Sequence, residues 1–221
     1  MVLTGKKIEY LSQFMTEERF EVLRKTVVGR TGYIRVCLED IFHPQNASAV
    51  VRSCEAFGIQ HIHAVEVISS FSPNVDIVRG TDKWVDIHRY RDDNPTGRLI
   101  SELKSDGYRI VATSPHINDT TAEEFDVAKG KFALFFGTEH AGISDTVKEN
   151  ADEFIRIPMH GFVESLNISV CAAILLYNFS QRVREQVADW QLPEEEQREL
   201  LLKWMMYSVK DSKNIMKRFK E

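Results

Sequence analysis

Short apolar runs alternate with amphipathic stretches along most of this chain. Strands are predicted at YIRVCLE (33–39), HIHAVEVI (61–68), YRIVATS (108–114), KFALFFG (131–137) and EFIRIP (153–158). Helices are predicted from about Asn46 to Gly58 and from Asn94-Pro95 to near Gly107, because each stretch has a favoured first residue and a glycine at its end. Strands that alternate with helices are typical of an α/β domain with a largely parallel sheet.

Both ends of the chain carry an additional predicted helix. Thr16 followed by two glutamates has the pattern of an N-cap, and it opens a helix with Phe20, Leu23 and Val27 on one face. The segment LPEEE (192–196) begins a separate helix, whose apolar side consists of Leu200, Leu201, Trp204 and Met205. We therefore expect an N-terminal helical extension (1–32), a central α/β domain (33–190) and a C-terminal helical extension (191–221).

The segment IPMHGFVESLNISVCAAILLYNF (157–179) combines a polar loop with an apolar helix. Its second half is predicted to be a buried helix, with Val170, Ala173, Ile174 and Tyr177 at helical spacing. The polar residues Ser165, Asn167 and Ser169 stand at the start of that helix. Helix capping accounts for one of them but not for all three, and an unpaired polar group in a core is costly.

Composition indicates one globular domain with appendages, since 221 residues with 43% hydrophobic and 28% charged content can bury a full core. The longest apolar run, 170–177, is too short to span a bilayer, and the N-terminus lacks the apolar region of a secretory signal. We therefore expect a cytoplasmic protein without a membrane partner. The three cysteines show no CxxC spacing and the seven histidines are scattered, so neither disulfides nor a metal site are expected.

Charge is distributed unevenly along the chain, although the net charge is only −5. Residues 1–35 carry a balance of +3 and residues 203–221 a balance of +4, which leaves −12 for the centre. Basic ends on an acidic protein are able to contact phosphates, but solvated helix ends explain the same pattern equally well.

Two further polar segments follow predicted strands, where ligands gather in open α/β sheets. In the helix after YIRVCLE, Val50, Cys54 and Phe57 form the core stripe, so Arg52 points away from it. When this segment is considered alone, a solvated surface arginine is a simpler interpretation of Arg52 than a functional role. For Asn46, an N-cap is likewise the simpler interpretation. The loop after KFALFFG (137–144) nearly matches a phosphate-binding loop, but Ile143 stands in place of the lysine. A tight turn with no ligand explains this segment as well as a binding loop does. No GxGxxG follows the first strand, which disfavours a Rossmann-type enzyme.

Three segments, in chain order, resemble the signature motifs of one enzyme family. HPQNASAVVRSCEAFG (43–58), FFGTEHAGIS (135–144) and IPMHGFVESLNISVCAAILLY (157–177) are similar to the motifs of the SPOUT methyltransferases, specifically the TrmH family of RNA ribose 2′-O-methyltransferases. The N-terminal helix and the LPEEEQRELL helix also resemble those of family members that methylate a guanosine in the tRNA D-loop. Two positions depart from the family pattern: Ser48 stands where glycine is frequent, and Arg30 is a single basic residue where relatives often have two.

The resemblance implies a fold and a cofactor. The expected fold is a SPOUT-type parallel sheet with helices on both faces and a deep trefoil knot at about 131–180. Its loops would form a pocket for S-adenosylmethionine, and the positions that match the family's cofactor contacts are Thr113, Gly137, Ile157, Met159 and Leu166. This cofactor has no phosphate, which agrees with a loop that lacks the lysine of a phosphate-binding loop.

The resemblance also implies a catalytic set and an assembly. The matching positions are Asn46, Arg52, Glu139, Ser165 and Asn167, and Arg52 aligns with the arginine proposed as the base in this family. An arginine, with a pKa above about 12, is a poor base in isolation. Arg52 is therefore either perturbed by its surroundings or mainly orients the ribose and stabilises the alkoxide. The family forms its active sites across a homodimer.

The expected reaction is S-adenosylmethionine-dependent 2′-O-methylation of a tRNA ribose, at guanosine 18 of the D-loop. Phosphate contacts are assigned to the basic ends, at Arg19, Arg24, Lys25, Arg30, Lys213, Lys217 and Arg218. The alternatives are a ribose methyltransferase for ribosomal RNA or another tRNA position, a knotted RNA-binding factor without catalysis, and an α/β domain with an unknown ligand.

Overall fold

The computed structural model describes residues 2–114, 120–138 and 141–219. The chain divides into two compact units, one formed by residues 32–190 and the other by residues 1–31 together with 191–221. Within the described ranges, no helix combines the length and apolar character needed to cross a membrane.

The larger unit contains a parallel sheet. The described strands are β1 (Ile34–Glu39), β2 (His61–Val65), β3 (Asp86–Tyr90), β4 (Arg109–Thr113), β5 (Thr120–Thr121), β6 (Phe132–Phe136) and β7 (Glu153–Arg156). They lie in the order β3-β2-β1-β6-β4-β7-β5, and every neighbouring pair is parallel. The predicted parallel α/β sheet is thus confirmed. The strands β3 and β5 were not predicted.

The described helices are α1 (Val2–Ser12), α2 (Glu17–Val28), α3 (Pro44–Ala56), α4 (Val75–Val78), α5 (Pro95–Ser105), α6 (Asp145–Asn150), α7 (Ile168–Gln186), α8 (Glu194–Ser208) and α9 (Ser212–Met216). Short 3-10 turns span Thr81–Trp84 and Val127–Lys129. The predicted start of α5 is confirmed, since the Asn94 side chain accepts from the amide of Gly97 and Pro95 stands at the first helical position.

Alternate residues of the strands bury opposite faces of the sheet. On β1, Ile34, Val36 and Leu38 join the cluster that contains α3 and α7, whereas Cys37 joins the cluster that contains α5 and α6. The same alternation holds on β6, where Phe132 and Leu134 face one layer and Ala133 the other. Because both faces are covered by helices, the central strands are apolar throughout.

The helical unit is organised by α8, which packs against α1 and α2. Thr16 caps α2 as predicted, with its hydroxyl oxygen accepting the amide of Arg19 at 3.2 Å. The predicted apolar side of α8 is also confirmed, since Leu200, Leu201, Trp204 and Met205 are all buried.

The predicted buried face of α7 is wrong. Val170, Ile174 and Tyr177 are 46%, 41% and 58% exposed. The residues that pack into the core are instead Ile168, Ala172, Leu175, Leu176, Phe179 and Val183. The segment is apolar on nearly every side, so its periodicity did not distinguish the face that packs on the sheet from the face that remains open.

Candidate active site

A cavity of about 620 Å³ lies where β4, β6 and β7 end. These three strands are neighbours in the sheet, so the segments that leave them meet at one edge. The residues that line the cavity are Thr113, Ser114, Phe136, Gly137, Thr138, Ala141, Gly142, Ile143, Lys148, Ile155, Arg156, Ile157, Met159, Ser165, Leu166, Asn167, Ile168, Cys171 and Leu175. The volume and the mixture of apolar walls with a few polar groups are typical of a small-molecule site.

The five residues predicted to contact a cofactor all line this cavity. Thr113 leaves β4, Gly137 leaves β6, and Ile157, Met159 and Leu166 belong to the segment between β7 and α7. Thr113 also supports the wall, because its hydroxyl donates to the carbonyl oxygen of Phe135 at 2.9 Å. Sequence reasoning missed Ser114, Lys148 and Arg156, of which the latter two bring cationic side chains to the lining.

Two backbone segments after β6 lie close together, one on each side of residues 139–140, which lie outside the described ranges. Thr138 and Gly142 exchange backbone hydrogen bonds of 2.9 and 3.1 Å, and Gly142 has a φ of 69°. A Cβ added at Gly137 would overlap the carbonyl group of Gly142, so only glycine allows the two backbone segments to approach this closely. Glu139, predicted to be catalytic, lies outside the described residues.

A buried carboxylate that sequence reasoning missed holds this loop in place. Glu39, the last residue of β1, is 4% exposed. One carboxylate oxygen accepts the hydroxyls of Thr96 and Ser144 at 2.7 and 2.8 Å, and the other accepts the amide of Ser144 at 2.9 Å. Three charge-assisted bonds compensate for its burial and connect the end of β1 to α5 and to the start of α6. An acidic residue at the end of an apolar strand was the only signal in the sequence.

Asn167 connects the first and third motifs. It is the N-cap of α7, and its Oδ1 accepts the amide of Ser169 at 2.8 Å and the Ser169 hydroxyl at 2.6 Å. Its Nδ2 donates to Oδ1 of Asn46 at 3.1 Å. Capping therefore explains Asn167 together with Ser169, while Ser165 lines the cavity. Capping uses Oδ1 of Asn167, so the Nδ2 group of the same side chain remains available for the bond to α3.

On α3, the predicted core stripe is present, but the predicted cap is not. Val50 and Cys54 are fully buried and Arg52 is exposed. The N-cap is His43, with Pro44 at the first helical position, so Asn46 lies inside the first turn and not before it. Arg52 does not line the cavity, and its Nη1 donates to the carbonyl oxygen of Ile77 at 3.1 Å.

Two cysteines and a histidine have strongly shifted pKa values. Burial raises the pKa of Cys171, which lines the cavity, to about 11, so this thiol stays protonated at neutral pH. Burial also raises the pKa of Cys37 well above its ordinary value. Burial, with His88, Arg35 and His61 adding to it, lowers the pKa of His63 to about 2. His63 therefore stays neutral, and it lies on β2, outside the cavity lining.

Across the described ranges, no three histidine, cysteine or acidic side chains are grouped so that they could hold a metal ion.

The basic residues predicted to contact RNA are exposed, with one exception. Arg19, Arg24 and Lys25 lie on α2, and the exposed residues near the C-terminus are Lys213, Lys217 and Arg218. The prediction is wrong for Arg30, which is 1% exposed, with its guanidinium 5.5 Å from the centre of the Trp204 ring. A guanidinium buried against an aromatic ring contributes to the core of the helical unit and does not present a charge to a phosphate.

Comparison with known proteins agrees with this arrangement. Residues 33–177 match the model of the SpoU rRNA Methylase family. A tRNA (guanosine(18)-2′-O)-methyltransferase from Borreliella burgdorferi is 39% identical over 206 residues, which is 93% of each chain. The crystal structure of an Aquifex aeolicus TrmH/SpoU tRNA modifying enzyme is 30% identical, with a TM-score of 0.76 over 88% of this chain and 98% of that chain. An AdoMet-bound rRNA methyltransferase from Sinorhizobium meliloti is 25% identical, with a TM-score of 0.61 over 73% of this chain and 60% of that chain. The family model covers the strands and loops that build the cavity, and the chain belongs to the SpoU rRNA methylase family.

Proposed function

We propose that this protein transfers a methyl group from S-adenosylmethionine to the 2′-oxygen of a tRNA ribose, at guanosine 18 in the D-loop. The observation that carries the proposal is the 3.1 Å bond between Asn46 and Asn167. This bond joins the first motif segment to the third, whose residues line the mouth of the cavity. The curated relatives from Borreliella burgdorferi and Aquifex aeolicus, both named for methylation of guanosine 18, support the choice of substrate.

The cavity suits S-adenosylmethionine in size and chemistry. Its volume of about 620 Å³ accommodates a nucleoside with a short side chain, and Ile157, Met159 and Leu166 supply apolar walls for an adenine. Gly137 lines the cavity and lets the Gly142 backbone lie close beside it, which keeps this wall free of a side chain. Ile143 stands where a phosphate-binding loop has its lysine, which fits a ligand without phosphate. When bound, S-adenosylmethionine supplies an electrophilic methyl group on a sulfonium.

The chain's own residues would then position the ribose. We assign to Arg52 the orientation of the ribose hydroxyl and the stabilisation of its negative charge, since a guanidinium with a pKa above about 12 is a poor base. Asn46 and Asn167 would hold the start of α3 against the mouth of the cavity. Ser165 and Glu139 complete the proposed catalytic set. Positioning of this kind supplies much of the rate, at roughly 7–11 kcal/mol for well-oriented groups.

We also propose that residues from about 131 to 180 form a deep trefoil knot, an exception to the rule that chains do not thread loops. Two observations support this. β4 lies between β6 and β7, so the chain crosses from one side of β4 to the other between these two strands, and α7 then packs against α3. Stretching the unfolded chain from both ends would test the proposal. An extension shorter than the full contour would support a knot, and a full extension would contradict it.

The protein is further proposed to act as a homodimer through α7. Val170, Ile174 and Tyr177 form an exposed apolar face, and Phe162 and Val163 on the preceding loop are 107% and 63% exposed. Apolar patches of this kind mark interaction surfaces. Arg52 is absent from the lining of the cavity, which fits a site completed by a second copy. Light scattering on the wild type and on Ile174→Asp would test this, and an active wild-type monomer would contradict it.

The remaining parts of the proposal concern conditions and place. Catalysis is expected to need no metal, and the protein is expected to work in the cytoplasm, where its tRNA substrate is found. The extensions at 1–32 and 191–221 would present basic side chains to the RNA. Methylation with EDTA present would test the first point, since loss of activity that added metal restores would contradict it.

Ribosomal RNA is the second candidate substrate, because the matching family and the Sinorhizobium meliloti neighbour are both named for it. That neighbour is a longer chain, of which the match covers only 60%. Methylation of separated tRNA and ribosomal RNA pools with radiolabelled S-adenosylmethionine distinguishes the two. Label confined to tRNA supports the proposal, and label confined to ribosomal RNA contradicts it.

A further inference from the structure

We propose that Ser48 is a positioning residue for Arg52, which it holds through the short helix α4. The inference rests on the proposed function, because it gives Arg52 its task. Four residues on two separate segments carry it: Ser48 and Arg52 on α3, and Asn74 and Ile77 at α4. None of the four lines the cavity, so their effect on the reaction is separable from cofactor binding.

Ser48 joins α3 to α4 through one hydroxyl. The residue is fully buried, and its hydroxyl donates to the carbonyl oxygen of Pro44 at 2.6 Å, one turn earlier in the same helix. The same oxygen accepts the backbone amide of Asn74 at 2.7 Å, 26 residues further along the chain. Only a hydroxyl at this position both donates and accepts, so alanine would leave the part-buried amide of Asn74 without its partner.

Asn74 in turn determines where α4 lies. Its carbonyl oxygen accepts the amides of Ile77 and Val78 at 3.1 and 2.9 Å, and its side chain caps the turn by accepting the amide of Asp76 at 2.9 Å. A single helical turn is not stable on its own, because nucleation is unfavourable. Contacts with the rest of the fold must therefore hold α4, and they include the bond from Asn74 to Ser48 and the burial of Val78, which is 3% exposed.

The last link is the carbonyl group of Ile77. It accepts Nη1 of Arg52 at 3.1 Å, although Arg52 is otherwise exposed. A long side chain in water samples many rotamers, and this bond selects one of them. If α4 moves, the acceptor moves with it, so Ser48 fixes the direction of the guanidinium without touching it.

The hydrogen bond from the Asn74 amide to the Ser48 hydroxyl can be removed by two independent substitutions. Ser48→Ala removes the acceptor, and Asn74→Pro removes the donor. Proline fits this position because Asn74 has a φ of −72°. Each substitution has a matched control. Ser53→Ala removes a hydroxyl that makes the same bond one turn back in α3, to Ala49 at 3.0 Å, and Asn74→Ala keeps the backbone amide.

Kinetics and hydrogen exchange of these variants test the proposal. We expect Ser48→Ala and Asn74→Pro each to lower kcat on tRNA about tenfold, with the Kd of S-adenosylmethionine and the KM of tRNA unchanged. The double variant should have the same kcat as either single variant, because the two substitutions remove the same hydrogen bond. In Ser48→Ala, the amides of Asn74 and of residues 77–79 should exchange faster than in Ser53→Ala.

An Arg52→Lys background separates positioning from general destabilisation. Arg52→Lys already lacks the planar fork, so adding Ser48→Ala should lower kcat no further, whereas a merely structural role would lower it again. The proposal is overturned if Ser48→Ala and Asn74→Pro keep the wild-type kcat, or if exchange at Asn74 does not change. The absence of any tRNA methylation by the wild type would instead refute the proposed function, and hydrogen exchange at 77–79 would still decide whether Ser48 anchors α4.

Discussion

Asn167 donates a hydrogen bond from Nδ2 to Oδ1 of Asn46 at 3.1 Å, although 121 residues separate the two in the chain. Asn46 lies in the first turn of α3, and Asn167 caps α7 at the edge of the cavity. The bond thus connects the helix that carries Arg52 to the proposed cofactor pocket.

Substitutions at Asn167 should separate its two functions. Asn167→Ala removes both the cap and the bond to Asn46, and it should cost about 1 kcal/mol of stability and weaken S-adenosylmethionine binding. Asn167→Ser should keep the stability, because serine caps equally well, but it is too short to reach Asn46. Calorimetry and thermal unfolding measure the two effects. Full cofactor affinity in both variants would show that the contact is irrelevant to the pocket.

Substitution of Gly137 should close the cavity. A Cβ at this position overlaps the carbonyl group of Gly142, so Gly137→Ala must displace the loop, at about 1–3 kcal/mol, and S-adenosylmethionine binding should fall sharply. Gly161→Ala is the matched control, since a Cβ there meets no atom within 4 Å. Titration of the cofactor into both variants measures the effect. Similar affinities in the two would mean that the ligand does not approach Gly137.

Arg52→Ala should reduce methyl transfer about a hundredfold or more and leave cofactor affinity unchanged. The reason is that Arg52 is absent from the cavity lining and contributes nothing to the core of α3. Lys104→Ala, an exposed cation on α5, serves as the control for the loss of one positive charge. Single-turnover assays with saturating cofactor measure the step. Near-normal turnover of Arg52→Ala would contradict the role assigned to Arg52, which is to orient the ribose hydroxyl and stabilise its negative charge.

Neutralising the C-terminal cations should weaken tRNA binding. Lys213, Lys217 and Arg218 are exposed, and each lost phosphate contact lowers the slope of log affinity against log salt by about 1. Truncation after Lys210 is not a suitable test of these cations. It would delete α9, the bond from the Ser212 hydroxyl to the carbonyl oxygen of Met206 at 2.7 Å, and the ring contact of Phe219.

A triple glutamine variant at these positions keeps that packing. Tight binding with an unchanged salt slope would indicate that this end is only solvated. It would also direct attention to the exposed cations of α2, which are Arg19, Arg24 and Lys25. Arg30 is no longer a candidate, because it is buried against Trp204.

Much of the fold follows from local patterns, because caps and apolar runs act over a few residues. Thr16 and Asn94 cap the helices that the sequence predicts, and the apolar runs of β1 and β6 form central strands. The strand β3, DIHRY, was missed because it is polar, and it lies at the edge of the sheet. Its pairing with β2 depends on tertiary contacts, which local strand propensity does not predict.

The sequence also left parts of the site unresolved. Glu39, Asn74 and Ile77 act through partners that are distant in the chain, two of them through backbone groups, which have no signature in the side-chain pattern. The open face of α7 was missed for a related reason. Apolar residues surround that helix, and periodicity does not identify which of them the sheet covers.

The most direct test of the proposed function is methylation of two tRNA transcripts that differ by one oxygen atom. The first carries guanosine at position 18 and the second carries 2′-deoxyguanosine there, so that only the proposed methyl acceptor is missing. Incubation with the purified protein and radiolabelled S-adenosylmethionine should label the first transcript and leave the second unlabelled. Equal labelling of both transcripts, or of neither, would contradict the assignment of this protein as the methyltransferase for guanosine 18.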